Sequence, residues 1–131
     1  MTGPVRYLSP IGRLLIALLF LLAGLGKVAA PAATKAYIAS AGLPLPDISY
    51  LVALLVEIGG GLLLLAGYRT RPVALVLALF TLVTALVFHH DFADQNQMIH
   101  FLKNLAITGG LLQYAAFGAG ILSIDAARGK A

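Results

Sequence analysis

A stripe of polar side chains lies within an apolar stretch in the last third of the chain. His100, Lys103, Asn104 and Thr108 stand at offsets of 0, 3, 4 and 8 residues, which places all four on one face of an α-helix. An imidazole, an ammonium and an amide on one face can hydrogen-bond a polar ligand and hold or transfer a proton. We therefore treat His100, Lys103 and Asn104 as candidate ligand-binding residues.

Glu57 is a second candidate, because it is the single carboxylate between positions 48 and 67. A carboxylate at the centre of a membrane costs about 2.5 to 3.5 kcal/mol on insertion scales, so it usually faces the bundle interior and has a partner. Small residues at positions 53, 60 and 61 share its helix face and allow a neighbouring helix to come close. We expect Glu57 to point inward and to pair with Lys103, with Lys27 as the competing partner.

Two adjacent histidines, His89 and His90, end the third apolar stretch. If the apolar stretches pack as antiparallel helices, these histidines lie toward the same side of the membrane as the other polar candidates. Polar groups from all four stretches then converge in one half of the bundle. The predicted intramembrane polar cluster comprises Glu57, Lys103, His100, Asn104, Lys27 and His89.

The polar cluster has three interpretations. It can form a proton-accepting and hydrogen-bonding pocket for a small lipid-soluble molecule with a polar head, since intramembrane Glu, Lys and His are the groups such sites need. It can simply lock the helices together, because interhelical polar contacts add specificity even where each is worth less than about 2 kcal/mol. It can also conduct ions or protons, although 131 residues provide little pore unless the protein forms an oligomer.

A metal site at the histidines is a weaker hypothesis. His89, His90, Asp91 and His100 are all suitable ligand types, but adjacent histidines project in different directions from a helix and cannot both reach one ion without a bent backbone. A haem with two axial histidines would need His100 to meet His89 or His90 across a helix gap, and the sequence has no attachment motif. We predict no metal site.

The composition indicates a membrane protein. Of the 131 residues, 60% are hydrophobic and 11% are charged, whereas soluble domains carry about 25% charged residues. The absence of cysteine excludes disulfides, thiolate metal sites and a dithiol relay within the chain. The net charge of +4 comes from basic residues scattered at segment ends rather than from one basic patch, so we expect a lipid bilayer and no nucleic acid as partner.

Four apolar segments of spanning length are predicted, at about 11–28, 48–67, 72–88 and 98–117. The predicted fold is all-α: an integral membrane four-helix bundle forming a single transmembrane domain over residues 1–131. The first segment also has the position and flanks of a cleavable signal peptide. We expect it to be retained, because its removal would take a packing partner from the other three.

The distribution of basic residues predicts the orientation. With four spans, one side holds Arg6, Arg13, Arg69, Arg71, Arg128 and Lys130, and the other holds Lys27, Lys35 and Lys103. Because short basic loops are retained in the cytoplasm, six against three predicts that both termini are cytoplasmic. The histidine loop and the polar cluster then lie in the outer half.

Five short stretches of the sequence together carry a family pattern: GRLLIALLFLLAGLGK (12–27), YIASAGLP (37–44), VEIGGGLLLLAGYRTR (56–71), LVFHHDF (86–92) and QMIHFLKNLAITGGLL (97–112). The combination resembles the DoxX family of small bacterial membrane proteins over residues 10–125. The resemblance implies a four-helix, multi-pass protein of the bacterial cytoplasmic (inner) membrane. It also implies motif positions at Gly26, Lys27, Glu57, Gly60, Gly61, His89, His100, Lys103 and Asn104.

The same resemblance implies a redox context, because the family takes its name from a subunit associated with a terminal quinol oxidase. Relatives are linked to thiosulfate:quinone oxidoreduction and to membrane complexes that counter oxidative stress. The function predicted on this basis is a membrane subunit of a quinone-linked oxidoreductase or redox-stress complex, with a quinone as candidate cofactor and with a partner subunit and a homo-oligomer as candidate partners.

The prediction does not extend to catalysis by the chain itself. The sequence has no evident haem or copper site, and a family name alone does not establish an activity, so the chain is at most a non-catalytic or quinone-binding subunit. The alternative is a non-enzymatic membrane scaffold or transporter-like module that recruits a partner protein.

Overall fold

The computed structural model describes residues 2–131. Within that range the chain forms helices joined by short connections and contains no strand, which confirms the predicted all-α class. A short 3-10 turn over Gly3–Tyr7 precedes six helices: α1 Leu8–Ala29, α2 Pro31–Ser40, α3 Pro46–Ala66, α4 Thr70–Phe88, α5 Gln95–Phe117 and α6 Ile124–Ala127.

Three of the described helices are long and apolar enough to cross a membrane: α3, α4, and α1 together with the turn before it. Helix α5 has 23 residues but carries the polar stripe, so it does not reach the same apolarity. Each of the four predicted segments coincides with one of these long helices, and the largest differences are at Leu8 and Gln95, where helices begin before the predicted 11 and 98. Large apolar side chains stay exposed along the outer faces, as membrane contact requires.

The four long helices share one hydrophobic core. Small side chains bring the helix backbones together, and larger ones fill the space that remains. The buried core residues are Ala17 and Phe20 of α1, Leu64 of α3, Ala74, Leu77 and Ala78 of α4, and Leu111 of α5.

Helix α3 packs against two neighbours through glycine positions. A Cβ atom at Gly61 would meet Leu21 of α1 at 3.0 Å, and a Cβ atom at Gly60 would meet Leu77 of α4 at 2.8 Å. A larger residue at either position would force the facing leucine side chain to move. The predicted packing seam on this face is therefore confirmed.

The middle of α3 departs from α-helical geometry. Leu55–Gly59 form a π-helical turn, which takes one more residue per hydrogen-bonded ring than the α-helix and therefore changes the direction of the side chains within it. Glu57 lies in this turn and is buried, so its inward orientation is confirmed. Single π-turns within α-helices are rare and often lie at functional sites. This π-turn was not predicted from the sequence.

Helix α2 occupies the connection between the first two predicted segments, where the sequence analysis assigned no helix. It begins with Pro31, whose missing N–H costs little in a first turn, and continues through alanines that favour helix. The ring of Tyr37 stacks on Phe88 of α4 with centroids 5.1 Å apart, and Lys35 pairs with the exposed Asp47 of α3 at 3.2 Å. These contacts place α2 across one end of the long helices.

The long helices therefore have two distinct ends. At one end, which we call the termini end, the first two turns of α1 and the C-terminal tail meet α3, α4 and the connection between them. At the opposite end, which we call the cavity end, α2 and the loop between α4 and α5 come together.

Arg13 holds the termini end together. Its position in the sequence predicted an interfacial cation, but Arg13 is buried and only 1% exposed. Its five N–H groups donate at 2.9 to 3.2 Å to five backbone carbonyls. Two of these belong to the last turn of α3, where carbonyls lack helical partners, and three belong to the tail after α5. The acceptors are Leu64, Leu65, Ala119, Ile121 and Leu122.

Asp125 joins the C-terminal tail to the start of α4. Its carboxylate oxygens accept hydrogen bonds from the backbone N–H groups of Arg69 at 2.8 Å and Thr70 at 2.9 Å, which have no partner within a helix. Burial raises the pKa of Asp125, but the N–H groups of Thr70 and Arg69 and the nearby charge of Arg128 outweigh burial, so the pKa lies below its ordinary value of 3.8.

We expect Arg13→Met to destabilise the protein by about 3 kcal/mol or more, because it leaves several buried carbonyls without donors. Arg13→Lys should restore little of this, because one ammonium cannot match a planar fork of five N–H groups. Thermal unfolding in detergent measures both variants. Arg6→Met is the control, since Arg6 is exposed and, among residues 2–131, its side chain hydrogen-bonds only its neighbour Tyr7; equal losses for Arg6→Met and Arg13→Met would contradict the assignment.

The lowered pKa of Asp125 predicts how its contribution depends on pH. The folded state favours the ionised carboxylate, so the stabilisation is complete well above pH 3.8 and is lost as the pH falls through that value toward the lower pKa of the folded protein. Wild type should exceed Asp125→Asn by about 1 kcal/mol at neutral pH, and the difference should shrink in acid. Melting temperatures of both proteins across pH test this; a difference that grows in acid would contradict it.

Candidate ligand-binding site

A cavity of about 500 Å³ opens at the cavity end, within the size range of small-molecule sites. Helices α1 to α5 all contribute to its wall, and most of the wall is apolar. Four aromatic rings contribute to it: Phe20, Tyr37, Phe80 and Phe88. Such a wall suits a flat, apolar molecule, and the polar groups described next would orient it.

The strongest polar feature of the cavity wall is an ion pair between α1 and α3. Lys27 Nζ lies 2.8 Å from Glu57 Oε1, and the side chains are 29% and 7% exposed, respectively. The predicted pairing of Glu57 with Lys103 is therefore wrong, and the competing partner, Lys27, is correct. The reason is packing: α3 lies directly against α1, whereas α5, which carries Lys103, packs chiefly on α4.

Close helix packing and one hydrogen bond place Lys27 beside Glu57. Gly24, one turn earlier in α1, lies so near α3 that a Cβ atom there would be 2.5 Å from Ile58 and 3.4 Å from the Cβ of Glu57. The buried Tyr50 donates its hydroxyl to the carbonyl of Lys27 at 2.9 Å. The cation also lies in the last turn of α1, where the helix dipole favours positive charge.

The second carboxylate oxygen of Glu57 is unsatisfied. Glu57 Oε2 is fully buried and accepts no hydrogen bond from any residue in the range 2–131, although Glu57 lines the cavity. A buried acceptor without a donor costs about 1 to 3 kcal/mol, and more when it is charged. A ligand O–H or N–H group in the cavity would supply the missing donor if the carboxylate turned this oxygen toward the cavity.

A second polar area of the wall belongs to α4 and α5. Asn104 Nδ2 lies 3.4 Å from both the carbonyl of Thr81 and the hydroxyl of Thr84, which are long contacts that leave the amide available. Lys103 lines the cavity beside it. Thr81 and Thr84 were not among the predicted site residues. Two hydroxyl side chains three positions apart in an otherwise apolar segment are the sequence feature that indicates them.

His89 lines the cavity, while His100 lies outside its wall and stacks on the His89 ring with centroids 5.1 Å apart. Burial lowers the pKa of His89, and the charges of His100 and Lys103 lower it further, so the imidazole is neutral at pH 7. Within the part of the chain that the structure describes, no three His, Asp or Glu side chains are grouped to hold a metal ion.

Five of the six predicted cluster residues thus line one cavity: Lys27, Glu57, His89, Lys103 and Asn104. His100 does not line the cavity; its ring stacks on the ring of His89. That any of these residues binds a ligand remains a prediction.

Comparison with known proteins places the chain among bacterial membrane proteins. The family model described as DoxX matches residues 9–90, a range that includes Lys27, Glu57 and His89 and ends before His100, Lys103 and Asn104. The sequence similarity to individual relatives covers more of the chain than the family model does.

Two curated relatives come from Escherichia coli strain K12. The chain is 43% identical over 118 residues to the inner membrane protein YqjF, which covers 88% of this chain and 87% of the relative. It is 35% identical over 121 residues to the inner membrane protein YphA, covering 88% and 86%. No solved structure matches the chain significantly.

The Lys27–Glu57 pair makes a testable prediction about stability. Glu57→Leu leaves the ammonium of Lys27 unpaired and should cost about 2 kcal/mol or more, whereas the double variant Lys27→Met with Glu57→Leu should recover most of the loss, because an apolar pair replaces the charges. Unfolding in detergent measures the three proteins. Lys35→Met with Asp47→Leu removes the exposed pair as a matched control and should change stability by less than about 1 kcal/mol. No recovery in the double variant would contradict the pairing.

Proposed function

Since this chain belongs to the DoxX family and is a multi-pass protein of the bacterial inner membrane, we propose that its cavity binds a quinone-like molecule. We propose further that the chain serves as the membrane subunit of a quinone-linked oxidoreductase or redox-stress complex. In this role it binds and orients the quinone and handles its protons, and it does not carry out the redox step alone.

One observation carries the proposal. Glu57, whose buried Oε2 accepts no hydrogen bond from the described residues, lines a cavity of about 500 Å³ whose wall is mainly apolar and includes four aromatic rings. A quinol has the matching chemistry: a flat ring for the aromatic wall, and hydroxyl groups that can donate to a carboxylate. A purely structural ion pair gives no reason for an empty acceptor beside such a cavity.

Each polar group of the wall has a role in the proposal. Glu57 Oε2 accepts the hydroxyl of a bound quinol and takes one of the two protons that its oxidation releases, while Lys27, 2.8 Å from Oε1, keeps the carboxylate in place. The second proton leaves with the two electrons to the partner subunit. On the other side of the cavity wall, Asn104 and Lys103 donate to a second ligand oxygen. The electrons leave to an acceptor on a partner subunit, because this cysteine-free chain has no dithiol to receive them.

The proposal includes the membrane arrangement. Helix α5 acts as the fourth span because it shares the hydrophobic core with the three apolar helices, and residues 1–131 form one transmembrane domain. The termini end, with its excess of Lys and Arg, faces the cytoplasm. The cavity then lies in the outer half of the bilayer, where quinones diffusing in the membrane can enter it.

Native mass spectrometry with lipid extraction tests the proposal on protein purified gently from its own membrane. Wild type should carry an adduct of quinone mass. The double variant Lys27→Met with Glu57→Leu should lose it at least tenfold, because it removes the charge-assisted hydrogen bonds, worth about 1.5 to 3 kcal/mol each, while keeping the fold.

The matched control removes the exposed ion pair at the same end of the molecule. Lys35→Met with Asp47→Leu should retain the quinone adduct at the wild-type level. A quinone that is absent from every sample, or equally abundant in all three, would overturn the proposal. Reproducible co-purification of a soluble protein without any quinone would favour a membrane scaffold instead.

A further inference from the structure

The charges around the cavity do not balance. Three side chains of formally charged type line it: Lys27, Glu57 and Lys103. Lys27 and Glu57 neutralise each other at 2.8 Å, and the fourth titratable wall residue, His89, is kept neutral at pH 7 by its lowered pKa. The wall therefore carries one uncompensated positive charge, that of Lys103.

No carboxylate in the described residues neutralises Lys103. The ion pairs found between positions 2 and 131 are Lys27 with Glu57 and Lys35 with Asp47. The acidic residues nearest to Lys103 in sequence, Asp91 and Asp94, are exposed in the loop before α5 and are not part of the cavity wall. The nearest titratable side chain earlier on the helix, His100, stacks on His89 and supplies no negative charge.

An unpaired cation beside an apolar cavity favours an anion as its partner. Within a membrane, each charge needs a counter-charge or strong hydrogen bonds to offset its desolvation. The amide of Asn104, held only by two contacts of 3.4 Å, lies one residue away and can donate to the same atom. An anionic ligand oxygen would satisfy both groups.

We infer that the cavity selects quinone-like molecules that carry an acidic hydroxyl, and that the ionised oxygen binds at Lys103 and Asn104. This inference rests on the proposed function and specifies its ligand class. The ligand is then bipolar: a neutral hydroxyl or carbonyl meets the Lys27–Glu57 pair, and an enolate or phenolate oxygen meets the α5 side. Neutral quinones bind the same cavity more weakly.

A pair of ligands that differ in one substituent tests the inference. Isothermal titration into protein in lipid nanodiscs, with empty nanodiscs as the blank, compares 2-hydroxy-1,4-naphthoquinone, which is ionised at neutral pH, with 2-methyl-1,4-naphthoquinone, which is neutral and of similar size. Wild type should bind the ionised ligand at least about tenfold more tightly, the effect of one charge-assisted hydrogen bond.

Variants of Lys103 assign the preference to its charge. Lys103→Gln should abolish the preference, Lys103→Arg should keep it, and Lys35→Gln, which removes an exposed lysine at the same end of the molecule, should leave it unchanged. Because the two ligands are compared within each protein, a partly destabilised variant still gives a clear result.

The outcomes separate this inference from the proposed function. If wild type binds both ligands equally, or if the preference survives in Lys103→Gln, Lys103 extends to the lipid headgroups and the inference fails while the quinone site stands. If neither ligand binds above the blank, the proposed function and the inference both fail.

Discussion

Neither lipid nor an apolar helix neighbour can satisfy a polar group, so each polar group inside this protein needs a partner within the chain. At the termini end the buried cation is fully partnered: the five N–H groups of Arg13 donate to five carbonyls from α3 and the C-terminal tail. Because these carbonyls come from segments far apart in sequence, one side chain fixes the relative positions of α1, α3 and the tail. The rest of the bundle depends on this junction.

At the cavity end the same requirement is met only in part. Glu57 has Lys27 on one oxygen and nothing on the other, and Lys103 has no carboxylate partner in the described chain. At the termini end the hydroxyl of Thr70 is buried without a partner in the described residues, but the charged groups of Arg13 and Asp125 are hydrogen-bonded. The incompletely partnered charged groups at the cavity end are the basis for assigning ligand binding to that end.

The geometry of the pair comes from backbone features. The π-turn at Leu55–Gly59 and the close approach of α3 to α1 at Gly24 direct Glu57 toward Lys27, and Tyr50 holds the end of α1 in place. Lys103 belongs to a helix that packs mainly on α4, so it reaches the cavity without reaching Glu57. The two cations of the wall therefore have different partners, one within the protein and one that we assign to the ligand.

The sequence by itself determined the all-α membrane class, the four long helices and most of the cavity's polar residues, because apolar runs, helical spacing and a carboxylate within an apolar segment are local properties. It did not determine α2, the burial of Arg13, the π-turn or which lysine pairs with Glu57. Those depend on which helices touch and at what distance. Only the tertiary structure decided them, because the partner of a charge is set by packing between segments distant in sequence, and the spacing within one helix carries no information about it.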